Sequence, residues 1–240
     1  MKNYELITSD YLPIINDGNY LIADNLKNIK VLVKSGVTAS ILTYNENEEI
    51  ALEIDIEKDA NLSIYHVVET DSDYKINEKI NLNDEGATAD VMGIMLGLNS
   101  AKIASKITIF HNVKNTTSKL LTYAIVKDTS IIDIDNNAYI HKNASNSNAR
   151  QSAKGLSLSD NAKIIAQPNL FIDEYDVMAS HGVAMGSINR DDLFYLMSRG
   201  LTRESASNMV IMGMIEPVLT AIDNEEYATK FRSKFQNNLK

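Results

Sequence analysis

The chain has 240 residues, a formal net charge of −9 and no cysteine. That length allows one domain with a proper core, and the charge argues against a nucleic-acid footprint, which needs a basic face. The missing thiols exclude disulfides and thiolate metal sites within this chain, which fits a reducing compartment.

The start, MKNYELITSDYLPIIND, has no basic stretch followed by an apolar run. No window holds about 18 uninterrupted apolar residues either, so the expectation is no export signal, no membrane span and a cytoplasmic setting. Residues 1–29 read as a short lead-in. From 30 to 186 the apolar period is two. Ile50, Leu52, Ile54 and Ile56 alternate with Ala51, Glu53 and Asp55. Ile103, Ile107 and Ile109 share one parity; Leu121, Tyr123 and Ile125 form a second set, and Ile132 with Ile134 a shorter one. Such alternation predicts strands with one face in a core and one toward solvent.

Only three prolines and ten glycines punctuate the chain, so Asn, Asp and Ser must make most turns. A loose repeat marks them: KDANLSI (58–64), KDTSIIDI (127–134) and SDNAKIIA (159–166), with DEGATADV (84–91) as a weaker copy. Unequal spacing leaves stacked β-coils and a β-sandwich both open at this point.

Residues 187–240 change period. INRDDLFYLMSRG (188–200) predicts a helix capped by Asn189, with Asp191 and Asp192 at its positive end and Gly200 past its last turn. Leu193, Phe194, Leu196 and Met197 form its apolar face. Thr202 caps a second helix bearing Ala206, Met209, Val210 and Gly213, which Pro217 should kink or end. A third helix covers about 224–238, with Tyr227, Phe231 and Phe235 striping one face. That stripe either packs on the β region or docks a partner.

Four histidines invite a search for chemistry. The one in ASHGVAMG (179–186) stands where the strand-like region meets the helices. Ser180 and His181 are adjacent, so on a strand they point to opposite faces and cannot form a nucleophile–base pair. There is no G-x-S-x-G, no glycine-rich phosphate loop and no HExxH. Asp173, Glu174 and Asp176 cluster in FIDEYDV. They keep a polysaccharide-cleaving β-helix in view, although a solvated strand edge is the plainer reading. His66, His111 and His141 read as structural. His181 is either a bonded turn or core residue, or a ligand, since neutral imidazole binds metals well.

The order of residues from 144 to 206 resembles the SufB/SufD family of iron–sulfur cluster assembly scaffolds. Ala144, Ser147, Ala149 and Gln151 match its alternating Ala/Thr/Ala/Gln run, with Ser for Thr. Leu156, Leu158, Ser159 and Ala162 follow; then Pro168, Leu170 and Ile172; then Asp176, Val177, Ser180, His181 and Gly182. Tyr195, Leu196, Ser198, Arg199 and Gly200 close the set. Upstream, His111, Thr116 and Ser118 resemble the family's His…Thr-x-Ser segment. The resemblance implies a right-handed parallel β-helix core followed by a small C-terminal α-helical domain, and a non-catalytic role. It implies pairing through the β-helix with a SufB-type subunit or with itself as a dimer, and docking of a SufC-type ATPase by the helices. Leu193, Phe194, Tyr195, Arg199, Met209, Met212, Tyr227, Phe231 and Phe235 are then the expected docking residues. His181 matches the histidine credited in SufD-type subunits with helping to build the cluster.

The chain departs from the pattern at Ala179, where many relatives have Cys, and at Phe171, where they often have Glu. It also has little of the N-terminal helical region of longer relatives. Without thiolates it holds no cofactor as an isolated chain, and a transient iron–sulfur cluster is expected only in complex with a partner. The SufD side of the family fits better than the SufB side. The competing readings are a cysteine-free structural or regulatory relative with no cluster role and, more remotely, a polysaccharide-active enzyme. The lack of tryptophan counts against the enzyme.

Overall fold

The computed structural model describes residues 2–22, 26–44 and 48–239. Fifteen strands precede three helices: β1(Glu5–Ile7), β2(Tyr11–Ile14), β3(Gly18–Ile22), β4(Asn28–Val33), β5(Thr38–Thr43), β6(Glu49–Ile56), β7(Asn61–Thr70), β8(Tyr74–Leu82), β9(Thr88–Gly97), β10(Lys102–His111), β11(Thr117–Val126), β12(Ile131–Ile140), β13(Ser147–Ser157), β14(Lys163–Ile172), β15(Val177–Gly186), α1(Arg190–Ser198), α2(Arg203–Ile222) and α3(Glu225–Asn238). Odd strands form an eight-stranded sheet in chain order, and even strands a seven-stranded one. Every neighbour is two strands away in sequence and parallel, for example Leu120↔Gln151 and Ile107↔Asn136. The chain therefore winds as a β-solenoid, one strand per sheet in each coil. This decides against the β-sandwich, whose sheets are antiparallel.

The coils stack because their inward parity is apolar. In β6 the burial alternates strictly, with Ile50, Leu52, Ile54 and Ile56 inside. Each such side chain contributes about 1.5–3 kcal/mol when fully buried. Corners need left-handed backbone, and Asn and Asp supply most of it: Asp59, Asn99, Asn115, Asp128, Asn143 and Asn146 all have positive φ, joined by Gly36 and Gly86. The loose Asp-containing repeat thus marks real corners at Asp59 and Asp128. The expected lead-in is not separate: β1 to β3 lie within residues 1–29 and already belong to the wound sheets.

The outer faces of the two sheets differ. The seven-stranded sheet shows ladders of charge, Lys30–Glu53 at 3.1 Å and Lys106–Asp135 at 3.4 Å. The eight-stranded sheet is covered. Leu42, Tyr65, Val67, Ile94, Leu96, Tyr123 and Ile125 pack outward against Ile211, Ile215, Val218, Leu219 and Ile222 of α2 and Phe231 and Phe235 of α3. Leu121, Tyr123 and Ile125 are therefore an apolar set under helices, while Leu120, Thr122 and Ala124 face the bore. Both parities are buried in this half of the sheet, so alternation fails there.

α2 runs through Pro217 to Ile222, so the proline does not end the helix. Among the described residues it alone is long and apolar enough to cross a membrane by length and composition. In this fold its apolar face is spent on the sheet. Asn189, Thr202 and Asn224 cap the three helices through their side chains, and Gly200 takes positive φ after α1. The end of α2 is tied to the first coil: Lys2 N donates to Asp223 O at 2.7 Å, and Tyr4 OH to Ile222 O at 2.9 Å.

Candidate functional site: the open end of the solenoid

The last coil has a neighbour on one side only. β15 pairs with β13 and β14 with β12, and both present their outer edges to solvent. Register fixes which side chains face the bore. Ala179 lies over Ala149, His181 over Gln151, Val183 over Ala153 and Met185 over Gly155. The underlying residues Ala149, Gln151 and Ala153 are buried, so the row above them also points inward, and among the described residues no further strand pairs beyond it. On β14, Ile172 continues the row of buried Ile140. The result is a core cross-section left uncovered, with Val183 46% and Ile172 42% exposed. A stacked β architecture needs such an end capped or paired.

His181 therefore stands at the mouth of the bore, in line with Gln151 and exposed. Gln151 Nε2 donates to Asn169 O at 3.3 Å, while its Oε1 is buried without a protein partner. Ser180 lies on the opposite face, in register with Arg150, so the adjacent pair cannot act as nucleophile and base. Ala179 points the same way as His181, so a residue there and His181 share the mouth. Phe171 has a structural ground: it stacks on Tyr139 at 4.3 Å, which stacks on Phe110 at 5.0 Å. This aromatic ladder climbs the outer face to the open edge. Asp173, Glu174 and Asp176 form a corner and not a carboxylate-lined groove. Glu174 accepts backbone N–H bonds from Tyr175 at 2.8 Å and Asn143 at 3.0 Å, and these hold its carboxyl below the usual range.

His66 and His111 are internal, while His141 is half-buried and joins the outer ladder, stacked with Phe110 at 6.0 Å and Tyr139 at 6.4 Å. His111 is fully buried, with Nδ1 2.8 Å from Thr116 Oγ1 and Nε2 2.8 Å from Ser118 Oγ. A neutral ring, one donor and one acceptor, is complemented by two hydroxyls. Burial pushes its pKa down to about 4. Unfolded, it titrates near 6.5, so its contribution is fully present above that pH and is lost as pH falls toward 4, to a total of about 3 kcal/mol. Urea unfolding at pH 7 and pH 5 should show about 2 kcal/mol of loss from this group, and His111→Gln should remove that part of the pH dependence. An unchanged slope in the variant would contradict the assignment.

The nine residues expected to dock a partner do not form one surface. Phe231 and Phe235 are buried against the outer face of the sheet, so of the two readings of their stripe it is packing on the β region that these two rings follow, and they are not available as docking residues. Leu193 is also buried, and Met212 and Tyr227 are half-buried against the same cluster. Phe194 (75%), Tyr195 and Met209 remain exposed, with Met197, which the periodicity had placed only on the apolar face of α1. Arg199 is exposed and lies over the Tyr195 ring. A cleft of about 780 Å3 separates the 157–162 corner from α1 and α2, lined among others by Asp160, Ile188, Arg190, Arg203 and Asn208.

Comparison with known proteins decides the family. Residues 27–214 match the family model for the SUF system FeS cluster assembly, SufBD core domain. The chain belongs to the SufB/SufD family. The iron–sulfur cluster assembly protein SufD of Bacillus subtilis is 30% identical over 170 residues, 71% of this chain and 39% of that protein. SufD of Escherichia coli is 24% identical over 149 residues, 62% of this chain and 35% of that protein. A SufBD family protein of Pyrococcus horikoshii is 42% identical over 76 residues, 31% of this chain and 17% of that protein. This SufB/SufD member is closer to SufD, and it spans less than half the length of these relatives.

Proposed function

We propose that this SufB/SufD-family chain is a non-catalytic scaffold subunit of SUF-type iron–sulfur cluster assembly, acting in the cytoplasm. It pairs end to end through β14 and β15 with a cysteine-bearing SufB-type subunit. The observation that carries this is the uncovered inward row of the last coil, with His181 in it. Pairing there covers Val183, Met185 and Ile172 and satisfies the free edges of both sheets. It also brings His181 against residues of the partner. The chain has no thiolate, so the cluster, as cargo, takes its sulfur ligands from the partner. A neutral imidazole beside them supplies a nitrogen ligand or orients the incoming iron.

The helices serve a second contact. The exposed apolar group Phe194, Tyr195, Met197 and Met209 is the surface offered to a SufC-type ATPase, whose nucleotide-driven movement would be transmitted through α2 to the solenoid it covers. Aromatic and Met side chains are the usual anchors of such contacts. The test is a pull-down of the ATPase by the full chain and by Phe194→Asp with Met209→Asp. Both positions are exposed, so the fold should persist, and capture should fall at least tenfold. Undiminished capture would place the ATPase elsewhere. Iron and sulfide analysis of the assembled complex separates this reading from that of a relative kept without a cluster role: a complex that assembles fully but never acquires iron favours the latter.

A further inference from the structure

Three successive coils carry polar side chains into the bore, and the middle one is incomplete. In the first, His66 of β7 and Glu78 of β8 reach across it, Nε2 to Oε2 3.2 Å, while Thr43 Oγ1 lies 2.7 Å from His66 Nδ1. In the third, Asn136 Nδ2 of β12 donates to Thr122 Oγ1 of β11 at 3.4 Å. Between them, register sets Gly93 between His66 and Thr122, and Ile107 between Glu78 and Asn136. No side chain crosses from Gly93. A Cβ built there would find only His66 Cβ at 3.9 Å and Thr122 Cγ2 at 4.0 Å within 4 Å, so nothing from the facing sheet closes over it.

Around this gap polar atoms are left over. Glu78 Oε1, Ser105 Oγ and Asn136 Oδ1 are all buried and have no partner among the described residues. Ser105 lies on the strand facing Gly93, two residues before Ile107 and on the same parity. An unpaired buried polar atom is destabilising, more so when charged, and native proteins satisfy more than nine in ten of them. Two acceptors without a donor and a hydroxyl without a partner call for a small guest that both donates and accepts, and the glycine supplies its room. We infer that the bore holds ordered water beside Gly93, bridging the His66–Glu78 pair to the Thr122–Asn136 pair through Ser105. Each water donates two hydrogen bonds and accepts up to two, so waters can serve Glu78 Oε1 and Asn136 Oδ1 as donors and the Ser105 hydroxyl as donor or acceptor. The guest is water and not a metal ion: among the described residues no group of three or more His, Asp or Glu converges to hold one.

The test is a crystal structure of the full chain at a resolution that shows ordered water, with a second crystal soaked in rubidium chloride. The expected result is solvent density within hydrogen-bond distance of at least two of Glu78 Oε1, Ser105 Oγ and Asn136 Oδ1, with no anomalous signal there after soaking. Well-ordered side chains with no density between them would overturn the inference. So would a rubidium peak at the site, which would make the guest a monovalent cation.

Discussion

Phe235→Ala should cost about 3–5 kcal/mol of stability, among the largest losses available in this chain. The side chain is fully buried between α3 and the outer face of the eight-stranded sheet. Phe231→Ala should cost a similar amount, since its ring packs edge-on to Tyr44 at 5.3 Å. The two losses should not add, because both side chains belong to one cluster. Beyond the cavity, loosening α3 uncovers Tyr65, Val67, Ile94 and Tyr123, a patch that would promote association. Phe194→Ala, on the exposed side of α1, should change stability by no more than about 0.5 kcal/mol. Urea unfolding of the three variants checks the ordering. Equal effects at Phe194 and Phe235 would mean that the helices do not cover the sheet as described.

The second large effect concerns the open end. Val183→Lys or Met185→Lys should leave the isolated chain folded, because both side chains face an uncovered cross-section. Either should abolish end-to-end pairing. Placing an unpaired ammonium in a dry interface costs about 3–5 kcal/mol, a hundredfold or more in affinity. An inward-pointing lysine on an edge strand is also the device by which natural sheets prevent such pairing. His181→Ala should behave differently: pairing is retained and cluster transfer from the assembled complex falls. Co-purification with the SufB-type subunit reads the first effect, and transfer to an apo-acceptor the second. A Val183→Lys chain that still co-purifies in full would remove the open end from the interface.

Much of this arrangement is written plainly in the sequence, but unevenly. The alternation in β6 and the Asp corners at 59 and 128 report strands and turns directly, because one sheet is solvated outside and each corner needs left-handed backbone. The first two helices announce themselves through Asn189, Gly200 and Thr202. The choice of solenoid over sandwich is not in the period, which is two in both. It came from the residue order around His181, and the parallel register bears it out. The helical layer was legible only in hindsight: YHVV (65–68), MGIML (92–96) and LTYAIV (121–126) break the alternation because both faces are buried. The stripe Tyr227/Phe231/Phe235 suits packing on the β region or docking, since helical spacing says which residues share a face and not what that face meets. The inward direction of His181 follows only from its register with Gln151, a long-range fact that no local pattern carries.

The open end is the centre of the account, and hydrogen exchange over residues 163–186 tests it most directly. The chain alone should exchange its outward-edge β14 and β15 amides quickly, since one edge of each strand is unpaired. In complex with the SufB-type subunit those same amides should slow by at least tenfold, while the outer face of the seven-stranded sheet is unchanged. Equal exchange over 163–186 in the free and assembled chain would contradict it.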